Sequence, residues 1–174
     1  MSRAFTKEDD ALEAPIIPPR AALPAGLPNY VTPHGLEQLR AELGELEAER
    51  SKAEANHDDA AERTRQITLI KGKIALLTHR ITSAKVVDPR EQPSDEVRFG
   101  ATVTLKTISG GKKGMVRTFT IVGVDEASVQ DGKIGFVAPI ARAVTGKKVG
   151  EQAQLQMGRV QETVEITEIS YKAS

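Results

Sequence analysis

The chain has 174 residues, 39% hydrophobic and 28% charged, a balance that suits a globular protein of one ordinary domain or two small ones. Lys plus Arg equals Asp plus Glu at 24 each, so the net charge is zero, which argues against a general coat for DNA or RNA. The lack of cysteine excludes disulfides and thiolate chemistry and fits a reducing cytoplasm, and no apolar run approaches the length of a membrane span.

Residues 1–30 read as a disordered leader. Pro15, Pro18, Pro19, Pro24 and Pro28 forbid regular helix, and acidic and small residues surround them. At Thr32 the texture changes. Thr32 is placed to cap a helix, with Pro33 at its first position. Leu36, Leu39, Leu43 and Leu46 then step by three and four, and the series extends to Ala53. The pattern stops at Asn56-His57-Asp58-Asp59. It resumes at Ile67, Ile70, Ile74, Leu77, Ile81 and Ala84. Two heptad stripes across a short polar break predict an antiparallel coiled-coil hairpin over residues 31–88, with the stripes facing each other. The histidines, His34, His57 and His79, are scattered along it and make no ligand cluster.

Residues 89–96 contain two prolines and read as a linker. From Val97 the period becomes two. Strands are expected at Val97–Phe99, Thr102–Leu105, Met115–Val122 and Gly135–Val137, with Gly110–Gly114 as a hairpin loop. Pro139–Val144 reads as a short helix stopped near Gly146. Gln152–Met157 and Val160–Ile169 read as a last hairpin turning near Gly158. Val160, Val164 and Ile166 share one parity there, and Glu162 breaks it. The expected class is therefore α+β: a helical hairpin followed by a compact, mostly antiparallel β domain with one short helix over residues 97–174.

The stretch His57-Asp58-Asp59-Ala60-Ala61-Glu62-Arg63 falls at the tip of the hairpin. Asp59 with Glu62 three residues on has the form of a capping box, and carboxylates there favour the helix dipole. The same spacing places two carboxylates on one side of a helical turn, where hard oxygens suit Mg²⁺. Both readings stand together. The cations of the second helix, Arg63, Arg65, Lys71, Lys73, Arg80 and Lys85, face RNA or an acidic wall on one reading. On the other they form a solvated face answering Glu42, Glu45, Glu47, Glu49 and Glu54.

The blocks "RFGATVTL" (98–105), "TFTIVGVDEA" (118–127), "APIARAVTGKKVGE" (138–151) and "VEITEISY" (164–171) resemble the Gre family (GreA/GreB type) of bacterial transcript-cleavage factors. So do "YVTPHGLEQLRAEL" (30–43), which opens the hairpin, and "SAKVVD" (83–88), which closes it. The resemblance implies an FKBP-like C-terminal domain that binds the core of RNA polymerase at the rim of its secondary channel. It implies a finger whose tip carboxylates, Asp59 and Glu62 with Asp58 beside them, help hold a Mg²⁺ of the polymerase. The chain would then have no catalytic residue and no cofactor of its own, and would stimulate cleavage by the polymerase. Pro139, Ile140, Ala141, Arg142 and Phe119 are the expected polymerase contacts, and a monomer is expected.

The tip departs from the family motif: Asp58 stands for Gly, Arg63 for Asn and Gln66 for an aromatic residue. Arg63 is placed to pair with Asp59 or Glu62, or to contact phosphate of the nascent RNA. Each helix is about one heptad shorter than the family finger, a loss of about 10 Å of reach. These features point to a channel-binding modulator of elongation with weak or absent cleavage. The alternatives are a short-finger regulator of the nucleoside diphosphate kinase regulator type and a full cleavage factor. A prolyl isomerase is disfavoured, because the second domain has few aromatics to line such a pocket.

Overall fold

The computed structural model describes residues 14–172. The expected disorder of residues 1–13 lies outside the described residues. Those described form two compact units, residues 14–20 with 40–80 and residues 21–39 with 81–172.

The first unit is the body of the helical hairpin. Helix α1 runs Pro33–Ala55 and helix α2 runs Ala60–Ser83, each about 35 Å long at 1.5 Å per residue. The chain reverses over residues 56–59, where the heptad pattern breaks. Leu46, Ala53, Ile70 and Leu77 are buried, and Leu43 and Ile74 are half-buried. Ala53 and Ile70 line one depression between the arms, and Leu46 and Leu77 stand one heptad further from the turn on their own helices. Each arm also carries an interior glycine, Gly44 and Gly72. A glycine in a helix costs about 1 kcal/mol relative to alanine.

The leader is not wholly free, contrary to expectation. Residues 15–20 form no helix or strand, as their prolines dictate, yet they lie on the hairpin. Arg20 Nη1 pairs with Glu42 Oε2 on α1 at 2.5 Å, and Ile17 packs where Gly72 of α2 has no side chain.

The second unit begins with a feature that heptad counting misses. Strand β1 (Asn29–Val31) pairs in parallel with β2 (Ala84–Val86), so the chain entering α1 is bonded to the chain leaving α2. Thr32 then caps α1 as expected: its Oγ1 accepts the N–H of Gly35 at 3.0 Å. The same hydroxyl donates to Glu126 Oε1 at 2.5 Å, and Lys133 Nζ lies 3.4 Å from Glu126 Oε2. Gly35 is required there, since a Cβ would come within 2.6 Å of the Glu126 carboxylate.

A five-stranded sheet follows, in the order β5-β4-β3-β7-β6. Its strands are β3 (Thr102–Ser109), β4 (Val116–Val122), β5 (Lys133–Gly135), β6 (Gln152–Met157) and β7 (Val160–Ser170). All pairs are antiparallel except β4 with β5. Helix α3 (Pro139–Val144) covers the core through Ala141 and Val144, packed with Val103, Leu105, Ile121, Val164 and Ile166.

Several expected boundaries shift. Val97–Phe99 is not a strand. Val97 N–H bonds to Lys147 O and its carbonyl accepts from Gly146 N–H, so its partners lie in the turn after α3 rather than in a sheet. The strand expected at Gly135–Val137 sits at Lys133–Gly135, where three residues pair with Thr120–Val122. The linker holds a turn at Pro89–Glu91 capped by Asp88, whose carboxyl a guanidinium hydrogen bond from Arg90 holds below its ordinary value. Pro89 is buried against Gly100. Strand β7 changes parity at Thr167, which has no partner opposite while Ile166 and Glu168 pair with Leu105 and Thr104.

Candidate functional site

At the tip, Asp59 does what its spacing predicts. Its Oδ1 accepts the N–H of Glu62 at 3.1 Å, and its carbonyl accepts the N–H of Arg63 at 3.0 Å, so it caps α2. Glu62 is exposed, and its Oε1 accepts from Gln66 Nε2 at 3.2 Å, one turn along. Asp58 is exposed, and its N–H donates to Asn56 Oδ1 at 3.1 Å, closing a tight turn.

Arg63 departs from expectation. It pairs with neither Asp59 nor Glu62. Its Nη1 lies 3.1 Å from His57 Nδ1 and donates to the Asn56 carbonyl at 3.5 Å. The reason is local: Arg63 sits on the inner side of the turn, where the unsatisfied carbonyls of the end of α1 are. Arg63 thus leaves the acidic pair alone, and one oxygen of each carboxylate has no partner among the described residues. No group of three or more His, Asp or Glu side chains converges to hold a metal among the described residues. The pair therefore offers two hard oxygens of the kind Mg²⁺ prefers.

The second candidate surface lies on the second unit. Pro139 is exposed at the start of α3, Ile140 is half-buried and Arg142 is exposed. Two other residues singled out with them are interior. Ala141 is fully buried, and Phe119 is 6% exposed within the core, paired across the sheet with Val103. The resemblance puts Phe119 among the contacts, but it shares the inward parity of Ile121 and its ring belongs to the core.

Beside Arg142 is a recess of about 600 Å³ that the sequence does not announce. Its wall is a triangle of aromatic rings, Tyr30, Phe99 and Phe136, with centroids 5.5 to 5.7 Å apart. Arg98 and Arg142 stand at its edge. Arg98 is tied to Glu96, whereas Arg142 makes no ion pair among the described residues. The three rings come from positions 30, 99 and 136, so no local spacing reveals them. The only hint is scarcity: aromatic residues are 3% of the chain, and half of them meet here.

Comparison with known proteins decides the lineage. The profile of the family described as "Transcription elongation factor, GreA/GreB, C-term" matches residues 92–171. A transcription elongation factor GreA of Francisella philomiragia is 37% identical over 157 residues, covering 82% of this chain and 96% of its own. The chain belongs to the GreA/GreB family. The GreA of Hyphomonas neptunium is 36% identical over 105 residues, 60% of this chain and 65% of its own length. Among solved structures, the GreA/GreB factor of Nitrosomonas europaea is 19% identical, with a TM-score of 0.40, over 88% of this chain and 100% of that one. Family membership makes this chain a Gre-type factor. No described helix is long and apolar enough to cross a membrane.

Proposed function

We propose that this chain binds core RNA polymerase in the cytoplasm as a monomer, places its hairpin in the secondary channel, and modulates elongation with weak or absent stimulation of transcript cleavage. One observation carries the reading. The Francisella relative aligns over 157 positions, but 82% of 174 residues is about 143, some 14 positions fewer. A deficit of that size is what the loss of one heptad from each arm would give, a change that keeps the seam in register. Seven residues per helix is about 10 Å of reach. A ligand must come within about 2 Å of Mg²⁺ to bind it.

The tip chemistry supports the same reading. Asp59 and Glu62 would be the residues to share a Mg²⁺ of the polymerase, through the oxygens left open beside the Asp59 cap and the Glu62–Gln66 bond. When bound, such an ion activates water and neutralises charge on the scissile phosphate. Asp59 and Glu62 themselves add only negative charge and orientation. Arg63, turned towards His57, is available to nascent RNA by a change of rotamer. For docking, Pro139 and Ile140 of α3, with Arg142 at the edge of the aromatic recess, form the favoured contact, since they combine apolar surface with a guanidinium that makes no ion pair among the described residues.

The test is transcript cleavage on backtracked complexes made with purified polymerase. Little shortening of the RNA 3′ end, together with competition against a cleaving factor for the channel, is the expected result. Strong shortening that Asp59→Ala or Glu62→Ala abolishes would identify a full cleavage factor instead. Lack of binding to the polymerase core would remove the reading entirely.

A further inference from the structure

We propose that residues 15–20, Pro-Ile-Ile-Pro-Pro-Arg, are an intramolecular clamp that joins both arms of the hairpin and stiffens it. Three prolines in six residues hold the segment extended at little entropic cost, which suits a strap. The strap reaches both helices. Arg20 pairs with Glu42 on α1 at 2.5 Å, and its side chain is only 20% exposed. Ile17 plugs α2 at Gly72. A Cβ built on Gly72 would stand 2.0 Å from Ile17 Cδ1 and 2.7 Å from Cγ1, so the helix lacks a side chain where the isoleucine enters. Leu76 and His79, one and two turns along α2, continue the same groove beneath Pro19.

Gly44 supplies an internal contrast. It too interrupts a helix, yet a Cβ there would meet no atom within 4 Å. Nothing in the packing calls for glycine at position 44, whereas the plug calls for it at position 72. The need for a clamp follows from the hairpin itself. Two helices that bury a single seam are marginal alone, because most helical stability comes from tertiary packing. The strap adds a third contacting segment along the outside of α2 and an ion pair to α1. A stiff finger serves the proposed channel role, but the clamp is a property of the free protein and is tested without polymerase.

The test uses the full chain, which has no native cysteine. A spin label on Ile16→Cys, a position 90% exposed beside the plug, reports motion of the strap. Amide exchange over residues 66–80 reports the stiffness of α2. In the unaltered background the label should show restricted motion. Gly72→Ala should free the label and speed exchange of α2 by about tenfold or more, although alanine is the better helix former. Gly44→Ala should leave the label restricted and slow exchange. Ile17→Ala, which removes the plug without altering the helix, should free the label as Gly72→Ala does. Arg20→Glu should loosen the strap, and adding Glu42→Arg should tighten it again. A label as mobile in the unaltered background as in an unfolded chain would overturn the clamp. So would Gly72→Ala and Ile17→Ala that leave both label motion and exchange unchanged.

Discussion

Arg117 Nη2 donates to Glu162 Oε1 at 2.7 Å, from β4 to β7 across the intervening β3. Thr107 of that middle strand donates to the same oxygen at 2.6 Å, so three adjacent strands meet on one carboxylate. Glu162 is buried, and Arg117 Nε is buried with no hydrogen-bond partner among the described residues. Removing the carboxylate alone therefore strands a charge. Glu162→Ala should lower stability by about 2–3 kcal/mol, read as a fall in the urea midpoint. Replacing Glu162 and Arg117 together by Leu should recover most of that loss, because a pair of apolar groups leaves no charge unpaired. A double variant as unstable as Glu162→Ala would show that the pair contributes more than it costs to bury.

That residue also shows where sequence pattern stops being enough. Read along one strand, the apolar alternation Val160, Val164, Ile166 is broken by Glu162. In space Glu162 continues the inward series of Val164 and Ile166, and its partner waits two strands away. Local periodicity made the hairpin legible, because each heptad stripe is contiguous and the polar break between them is short. The cap at Thr32, helix α3 and the last hairpin were legible for the same reason: proline, glycine and capping residues act within a few positions. Features built from distant positions were not. The β1–β2 pair joins residues 29–31 to 84–86, and the aromatic triangle joins 30, 99 and 136. The plug of Ile17 at Gly72 was hidden in the same way, behind prolines that signal only the absence of helix.

Thr32, Gly35 and Glu126 act as one unit at the start of α1, and substitutions there should be non-additive. Thr32→Ala loses a cap, about 1 kcal/mol, and also removes the hydroxyl that satisfies a buried carboxylate. Gly35→Ala should be worse than helix propensity implies, since its Cβ meets Glu126 Oε1 at 2.6 Å. In a Glu126→Gly background the Gly35→Ala penalty should vanish. Thermal unfolding of the four variants closes the cycle, and additive effects would count against a shared latch.

Leu77 is fully buried in the seam of the hairpin, and its loss leaves a hole that two helices cannot easily close. Leu77→Ala should cost about 2–4 kcal/mol and lower the helical signal in circular dichroism. Leu43→Asp, at a half-buried seam position, should also melt the hairpin by placing a charge against apolar neighbours. Full helicity in both variants would mean the arms do not depend on the seam.

Tyr171 should give the protein an alkaline limit. Its hydroxyl accepts the N–H of Arg98 at 2.9 Å and donates to the Glu96 carbonyl. Burial raises its ionisation above the ordinary value of 10.0, outweighing the opposing effect of the Arg98 contacts. The sign follows from linkage: a group with a raised folded pKa contributes stability below its unfolded pKa and loses it as pH climbs through the folded one. Stability attributable to Tyr171 should be constant at neutral pH and decline above about pH 10. Tyr171→Phe should be less stable at neutral pH and should show a shallower alkaline decline. Parallel alkaline curves for the two proteins would assign the decline to other groups.

Asp59 separates the structural and functional readings of the tip. As an N-cap it satisfies the N–H of Glu62, so Asp59→Ala should cost about 1 kcal/mol of helix stability. Asp59→Ser keeps a capping oxygen but removes the charge, and should restore that stability. If the tip stops about 10 Å short of the polymerase metal, neither variant should change transcript cleavage much. Insertion of seven residues into each arm keeps the heptad register and returns the reach. In that lengthened protein cleavage should rise, and Asp59→Ser should now abolish it while leaving the cap intact. The order of these results matters. Cleavage that is already strong and charge-dependent at the native length would mean that reach is not limiting. Cleavage absent even after lengthening would place the fault in the tip itself, at Asp58, Arg63 and Gln66.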